Sequence, residues 1–176
     1  MLTTNKHRLI FFTVIFWLLG VPAAFGCVCE PPASVTEELN AARAVFAGKL
    51  VAAEYRKGLV DETRRMMEEM DGRRVEYEVL VLRFQVERWW KGEPVAEVLV
   101  RTNQTRDAEG ATTVSDCDYP FKAGERYLVY AHGAENELSA SACSRTATLQ
   151  KAGKDLKTLG AGRAPEVAGR QPRRRG

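Results

Sequence analysis

The sequence predicts a mainly β protein: a five-stranded OB-fold barrel with a short helix flanking it at each end. Three observations predict this. Apolar, β-branched stretches recur between turns marked by Gly and Pro across residues 45–143. Helix-type patterning marks the two flanks, and the four cysteines, at 27, 29, 117 and 143, fall before, within and at the end of that region. Closing a small sheet on itself removes its exposed edges, and five strands are the OB-type solution. A β-sandwich fits the same periodicity.

Each element has its own signal. Ser34-Val35-Thr36-Glu37 is a capping box that starts a helix through Ala44, with Leu39 and Ala42 facing inward. Residues 45–55 read as a strand in which Gly48 marks a bulge or bend. Residues 59–70 are rich in Glu, Arg and Met and favour a helix or an insertion between strands. A long strand follows from 75 to 89, where Val75, Tyr77, Val79, Val81 and Arg83 alternate imperfectly with Glu76, Glu78, Leu80 and Leu82, which suits a strand whose two faces are both partly covered. Lys91-Gly92-Glu93-Pro94 turns the chain, residues 95–102 return as a strand, and 102–115 read as a polar loop. Lys122 to Glu125 turn into a strand over 126–132, and 137–143 form the next short one. Leu149, Ala152, Leu156 and Leu159 are near helical spacing and place a helix over 149–159.

The first 26 residues read as a secretion signal. Lys6, His7 and Arg8 form a positive start, Leu9 to Leu19 an apolar run ended by Gly20 and Pro22, and Ala24-Phe25-Gly26 puts small residues, Ala24 and Gly26, three and one before the cut, where a signal peptidase reads them. The apolar run is shorter than the ~20 residues a membrane span needs. Cleavage after Gly26 makes Cys27 the mature N-terminus. A bacterial lipoprotein also begins at cysteine, but its recognition box takes an aliphatic residue three before the Cys and a small one two before, which Ala24 and Phe25 fit poorly. A lipid anchor at Cys27 is therefore disfavoured. Residues 27–162 form one domain, and 163–176 an Arg-rich tail expected to be disordered.

Lys and Arg number 26 against 23 Asp and Glu. Lys6 and Arg8 leave with the signal and Arg163, Arg170, Arg173, Arg174 and Arg175 sit in the tail, so the body is mildly acidic. This argues against a nucleic-acid-binding face. All four cysteines survive cleavage, and an even number in an exported chain reads as two disulfides, with three pairings open. Direct pairing of Cys27 with Cys29 would close a small, strained ring. A zinc site made by the four is the competing reading, disfavoured by the Cys-x-Cys spacing.

Other conspicuous residues carry less. His132 is the only histidine of the mature chain, so no His-based metal site or Ser-His-Asp arrangement assembles. The chain is read as having no catalytic residues and no cofactor. Trp89-Trp90 places at least one ring in the barrel. Met66, Met67 and Met70 form an adaptable surface or pack over the barrel, and Glu68, Glu69 and Asp71 read as a solvated face.

The ordered set of Cys27-Val28-Cys29, Trp90-Lys91-Gly92, Cys117-Asp118-Tyr119-Pro120-Phe121, Gly124-Glu125-Arg126-Tyr127-Leu128 and Cys143 resembles the N-terminal, netrin-like domain of the tissue inhibitors of metalloproteinases, over about 27–160. The resemblance implies an OB-fold barrel with Cys27 joined to Cys117 and Cys29 to Cys143. It also implies a zinc metalloprotease as partner, with Cys27, Val28, Cys29, Glu30 and Pro31 entering its cleft and Val114, Ser115 and Asp116 lining up beside them. The chain departs from the family in lacking its third disulfide and second domain, and in carrying the Met-rich insertion at 59–71.

The chemistry is simple. A catalytic zinc with three protein ligands keeps a fourth position for water or substrate. In a complex, the amine and carbonyl of an N-terminal Cys27 offer that metal a five-membered chelate. The amine binds when neutral, and an α-amino pKa of about 7.7 to 8.0 makes deprotonation easy. Disulfides at the first and third mature residues preorganise the segment and preserve affinity. Closing a loop of about 90 residues also constrains the unfolded chain by about 4 to 5 kcal/mol in the entropy treatment. The other reading is a disulfide-stapled cell-envelope binding or scaffolding module without inhibitory activity. Either is secreted or periplasmic.

Overall fold

The computed structural model describes residues 27–30, 33–57, 77–134 and 137–166. The expected signal, the insertion at 59–71 with its methionines and acids, Pro31, and the tail beyond Glu166 lie outside the described residues. The elements in chain order are α1 (Val35–Ala41), β1 (Ala44–Lys57), β2 (Tyr77–Lys91), β3 (Glu97–Asp107), β4 (Thr112–Thr113), β5 (Arg126–Ala131), β6 (Ala147–Thr148) and α2 (Gly153–Leu159). Six antiparallel strands form one sheet in the order β4-β3-β2-β1-β5-β6. Among the described residues the fold is mainly β and barrel-like, a curled half-barrel with two short helices, in six strands where the sequence predicts five.

The sheet curls because its two longest strands are bulged. β1 and β2 shift register between Val45 and Phe46, between Ala47 and Gly48, and between Leu50 and Ala52. Each extra residue bends the strand and increases its twist. At Gly48 the strands come so close that a Cβ would lie 2.7 Å from the Gln85 carbonyl oxygen, so glycine is required there. The concave face encloses Phe46, Leu50, Leu82, Phe84, Val86, Trp89, Val100, Tyr127 and Val129. Edge-to-face ring contacts run from Phe46 to Phe84 (5.6 Å), to Phe121 (5.2 Å) and on to Tyr127 (4.9 Å). β5 is apolar on both faces: its residues 128 and 130 turn outward, where Leu128 and Tyr130 pack with Val45, Leu39, Leu156 and Leu159 beneath the two helices.

The strand edges are joined by a segment that is not itself a strand. Arg101 N–H donates to the Leu138 carbonyl (2.7 Å), and His132 and Ser139 exchange backbone hydrogen bonds (2.8 and 2.9 Å). Residues 137–143, expected as a strand, instead make single bridges from Ser139 to Arg101 and His132 and from Ser141 to Asp118. A segment that changes partners at each step cannot keep a ladder.

Other expectations shift for local reasons. α1 has both hydrogen bonds of its capping box but ends at Ala41, because Ala42 is extended (φ −62°, ψ 145°) and Arg43 N–H has turned to the Ala131 carbonyl. Burial along β2 changes face, in keeping with its imperfect alternation: Val79 is buried, then Leu82, Phe84 and Val86, since a register shift against β3 at Val79/Val81 exchanges the faces. The loop expected at 102–115 is a hairpin, with β3 running on to Asp107 and β4 pairing at Thr105 and Arg106. Its polar side chains suit a strand with water on one side, and Arg106 bonds the Glu78 carboxylate across the sheet. Leu149 precedes α2 in a turn. Arg163, assigned to the tail, pairs with Trp89 through two backbone bonds (2.8 and 2.7 Å), so the ordered chain passes 162. The tryptophans face opposite ways, as neighbours on a strand do: Trp89 is 2% exposed inside, its indole donating to the Val95 carbonyl, and Trp90 packs outside and donates to Gly160.

Candidate functional site

Residues 27–30 belong to no helix or strand, and covalent bonds hold them. Cys27 is joined to Cys117 and Cys29 to Cys143, with Cα–Cα separations of 5.1 and 5.2 Å. These are the two pairs that the resemblance implies. Both cysteine side chains are thereby tied to the body, and the Val28 side chain between them has no such bond. Val28 is accordingly 95% exposed.

The two receiving segments lie side by side. Ala142 N–H and the Ser141 hydroxyl both donate to the Cys117 carbonyl (2.8 and 3.1 Å), and Cys143 N–H donates to the Ser141 hydroxyl (3.0 Å). The turn before Cys117 is pinned in turn to β3. Ser115 accepts from Cys117 N–H through its hydroxyl (3.2 Å) and from Asp118 N–H through its carbonyl (3.1 Å). The Asp118 carboxylate accepts from the Asn103 backbone and side-chain nitrogens (both 2.9 Å). On this turn Val114 is 65% exposed, Asp116 is exposed and Ser115 is half-buried. Glu30 is exposed next to Cys29.

The sulfurs of Cys27, Cys29 and Cys143 lie within 4.8 Å of one another. All belong to disulfides and none is a thiolate, the form that ligates metal. Through its side chain Cys27 therefore offers a metal nothing; its main-chain atoms are its remaining donors. His132 Nε2 lies 2.9 Å from the Glu38 carboxylate, tying the end of β5 to α1.

Sequence reasoning missed a buried polar cluster behind this segment. Arg145 donates from Nε and Nη2 to the two oxygens of Asp155 (2.8 and 2.6 Å) and from Nη1 to the Ala33 carbonyl (2.8 Å). Asp155, 7% exposed, also accepts from the Tyr130 hydroxyl (3.0 Å). Burial opposes ionisation of Asp155, but the hydrogen bonds of Arg145 and Tyr130 and the arginine charge outweigh it and hold the carboxyl below its ordinary value. Tyr130 is pushed up, by burial first and then by Asp155. The available signal was Asp155 itself, an acid at an inward position of the helix between Ala152 and Leu156.

No family model matches this chain, and no curated protein is significantly similar to it. Among the described residues no helix is long and apolar enough to cross a membrane. The two disulfides fit an extracellular or envelope protein.

Proposed function

We propose that the mature chain is an exported, non-enzymatic inhibitor of zinc metalloendopeptidases, similar in kind to the N-terminal domain of the tissue inhibitors of metalloproteinases. One observation carries the reading: both cysteines of Cys27-Val28-Cys29 are bonded to the body, while the side chain between them is 95% exposed. A protease cleft takes up an extended, already ordered segment at low entropic cost. With cleavage after Gly26, the amine and carbonyl of Cys27 displace water from the target zinc, and Val28 enters the pocket just past the scissile position. Glu30 and Pro31 extend along the cleft. The exposed Val114, with Ser115 and Asp116, forms a second contact on the turn tethered through Cys117.

The test uses mature protein beginning at Cys27, with its amine free or acetylated, against a zinc endopeptidase and a quenched peptide substrate. The free form inhibits and the acetylated form does not. Equal inhibition by both forms rules out chelation.

A second reading, a disulfide-stapled envelope binding module, is favoured by a groove of about 550 Å³ beside Trp89. Val95 and Leu99, 37% and 43% exposed, lie on it with Val98 and Leu138. Under that reading no protease is inhibited by either form. Intact mass further separates a lipid-modified Cys27 from a free amine.

A further inference from the structure

One turn of the chain holds the N-terminal segment at two places. Cys143 is bonded to Cys29, and two residues later Arg145 donates to the carbonyl of Ala33. Cys29 and Ala33, on either side of Glu30 in the sequence, are thus held by neighbouring residues of a single loop. Ala33 immediately precedes Ser34, the N-cap of α1, so the second anchor falls where the segment enters the body.

The guanidinium is unusually well placed for this. Its Nε and Nη2 form a fork onto both oxygens of Asp155, which fixes its plane and rotation. The third nitrogen, Nη1, is then aimed at Ala33 without further choice. Asp155 is held in place by α2 and by the hydroxyl of Tyr130, a residue with no exposed surface. A chain of support therefore runs from β5 and α2 through Asp155 and Arg145 to the N-terminal segment. Lysine could not take its place: a single ammonium lacks the fork and cannot hold the carboxylate in two places while also reaching Ala33.

We propose that Arg145, oriented by Asp155, is a positioning residue that holds Ala33 against the loop that carries Cys143 and thereby steadies Glu30. Under the inhibitor reading, on which its consequence for binding rests, it fixes how Glu30 lies in the protease cleft. The disulfides hold Cys27 and Cys29, and Arg145 holds Ala33.

Two variants test this. Arg145→Lys keeps the charge but loses the fork. The double variant Arg145→Met with Asp155→Asn removes both charges together and leaves an acceptor for Tyr130, so no buried charge stands unpaired if the single variant folds poorly. Backbone nitrogen relaxation is measured at Glu30 and Ala33, with Phe84 and Val129 as core references. In the wild type all four give order parameters near the rigid value of about 0.85. In the variants Glu30 and Ala33 fall toward about 0.6 while the core references hold. Unchanged order parameters at Glu30 and Ala33 in a folded variant overturn the proposal. Inhibition is a separate readout. If the wild type inhibits, the variants lose up to about tenfold, the scale of one net hydrogen bond. If the wild type inhibits nothing while Glu30 still loosens, the inhibitor reading fails and the positioning role of Arg145 stands.

Discussion

The sulfur of Cys27 lies 3.6 Å from the sulfur of Cys143, although each is bonded to a different partner. The contact follows from the hydrogen bonds that set the Cys117 and Cys143 segments side by side. It brings into contact two disulfides whose ends are 90 and 114 residues apart in sequence.

This contact predicts a specific exchange. When an added dithiol opens the Cys29–Cys143 bond, the Cys143 thiolate attacks the Cys27 sulfur, and Cys117 leaves as a thiolate. Partial reduction, alkylation and peptide mass mapping then detect a Cys27–Cys143 bond with Cys29 and Cys117 alkylated. Recovery of only the two original bonds and fully reduced chain would refute it.

Val28 separates binding from stability. Its side chain is almost wholly exposed, and substitutions at such positions change stability by about 0.5 kcal/mol or less. Val28→Ala should therefore leave the denaturant midpoint nearly unchanged and weaken inhibition of a susceptible zinc endopeptidase by tenfold or more, about 1.4 kcal/mol. A lowered midpoint with unchanged inhibition would mean that Val28 serves the fold.

Alkali should loosen the barrel through its tyrosines. Tyr127 is pushed up to about 12, by burial first and also by the Glu125 carboxylate and Tyr119, against the Lys122 amide, which pulls it down. Below pH ~10, the ordinary phenol value, both folded and unfolded chains carry the neutral phenol and the fold keeps its full stability. Above it the unfolded chain loses its proton first, so stability falls as pH rises toward the folded value of about 12. Urea midpoints measured from pH 9 to 12 should decline, and less steeply in Tyr127→Phe. Equal slopes in the two proteins would assign the alkaline loss elsewhere.

Much of this was legible in the sequence because the signals are local. Ser34 and Glu37 cap α1 through atoms three residues apart, and Gly92 and Gly124 turn the chain at positive φ, 100° and 83°. Gly48 announced a bulge, and Trp89 and Trp90 take opposite faces by simple alternation. The faces of β2 were not legible, because a bulge exchanges inside and outside at a place fixed by its partner strand. The polar run of 102–107 hid a strand whose pairing comes from Tyr77 to Val79, far away in sequence.

By itself, then, the sequence determined a β-rich domain with helical flanks, an even set of cysteines, and a Cys27-Val28-Cys29 segment with an apolar residue between its staples. It could do so because alternation, capping and turn chemistry act over a few residues. Only the tertiary structure decided that Cys117 and Cys143 stand side by side to receive those staples, that 137–143 joins three partners instead of extending the sheet, and that Arg145 spans from Asp155 to Ala33. Each of these depends on curling the sheet until remote segments meet. That curvature is the sum of bulges and packing across the whole chain, which no short stretch of residues encodes.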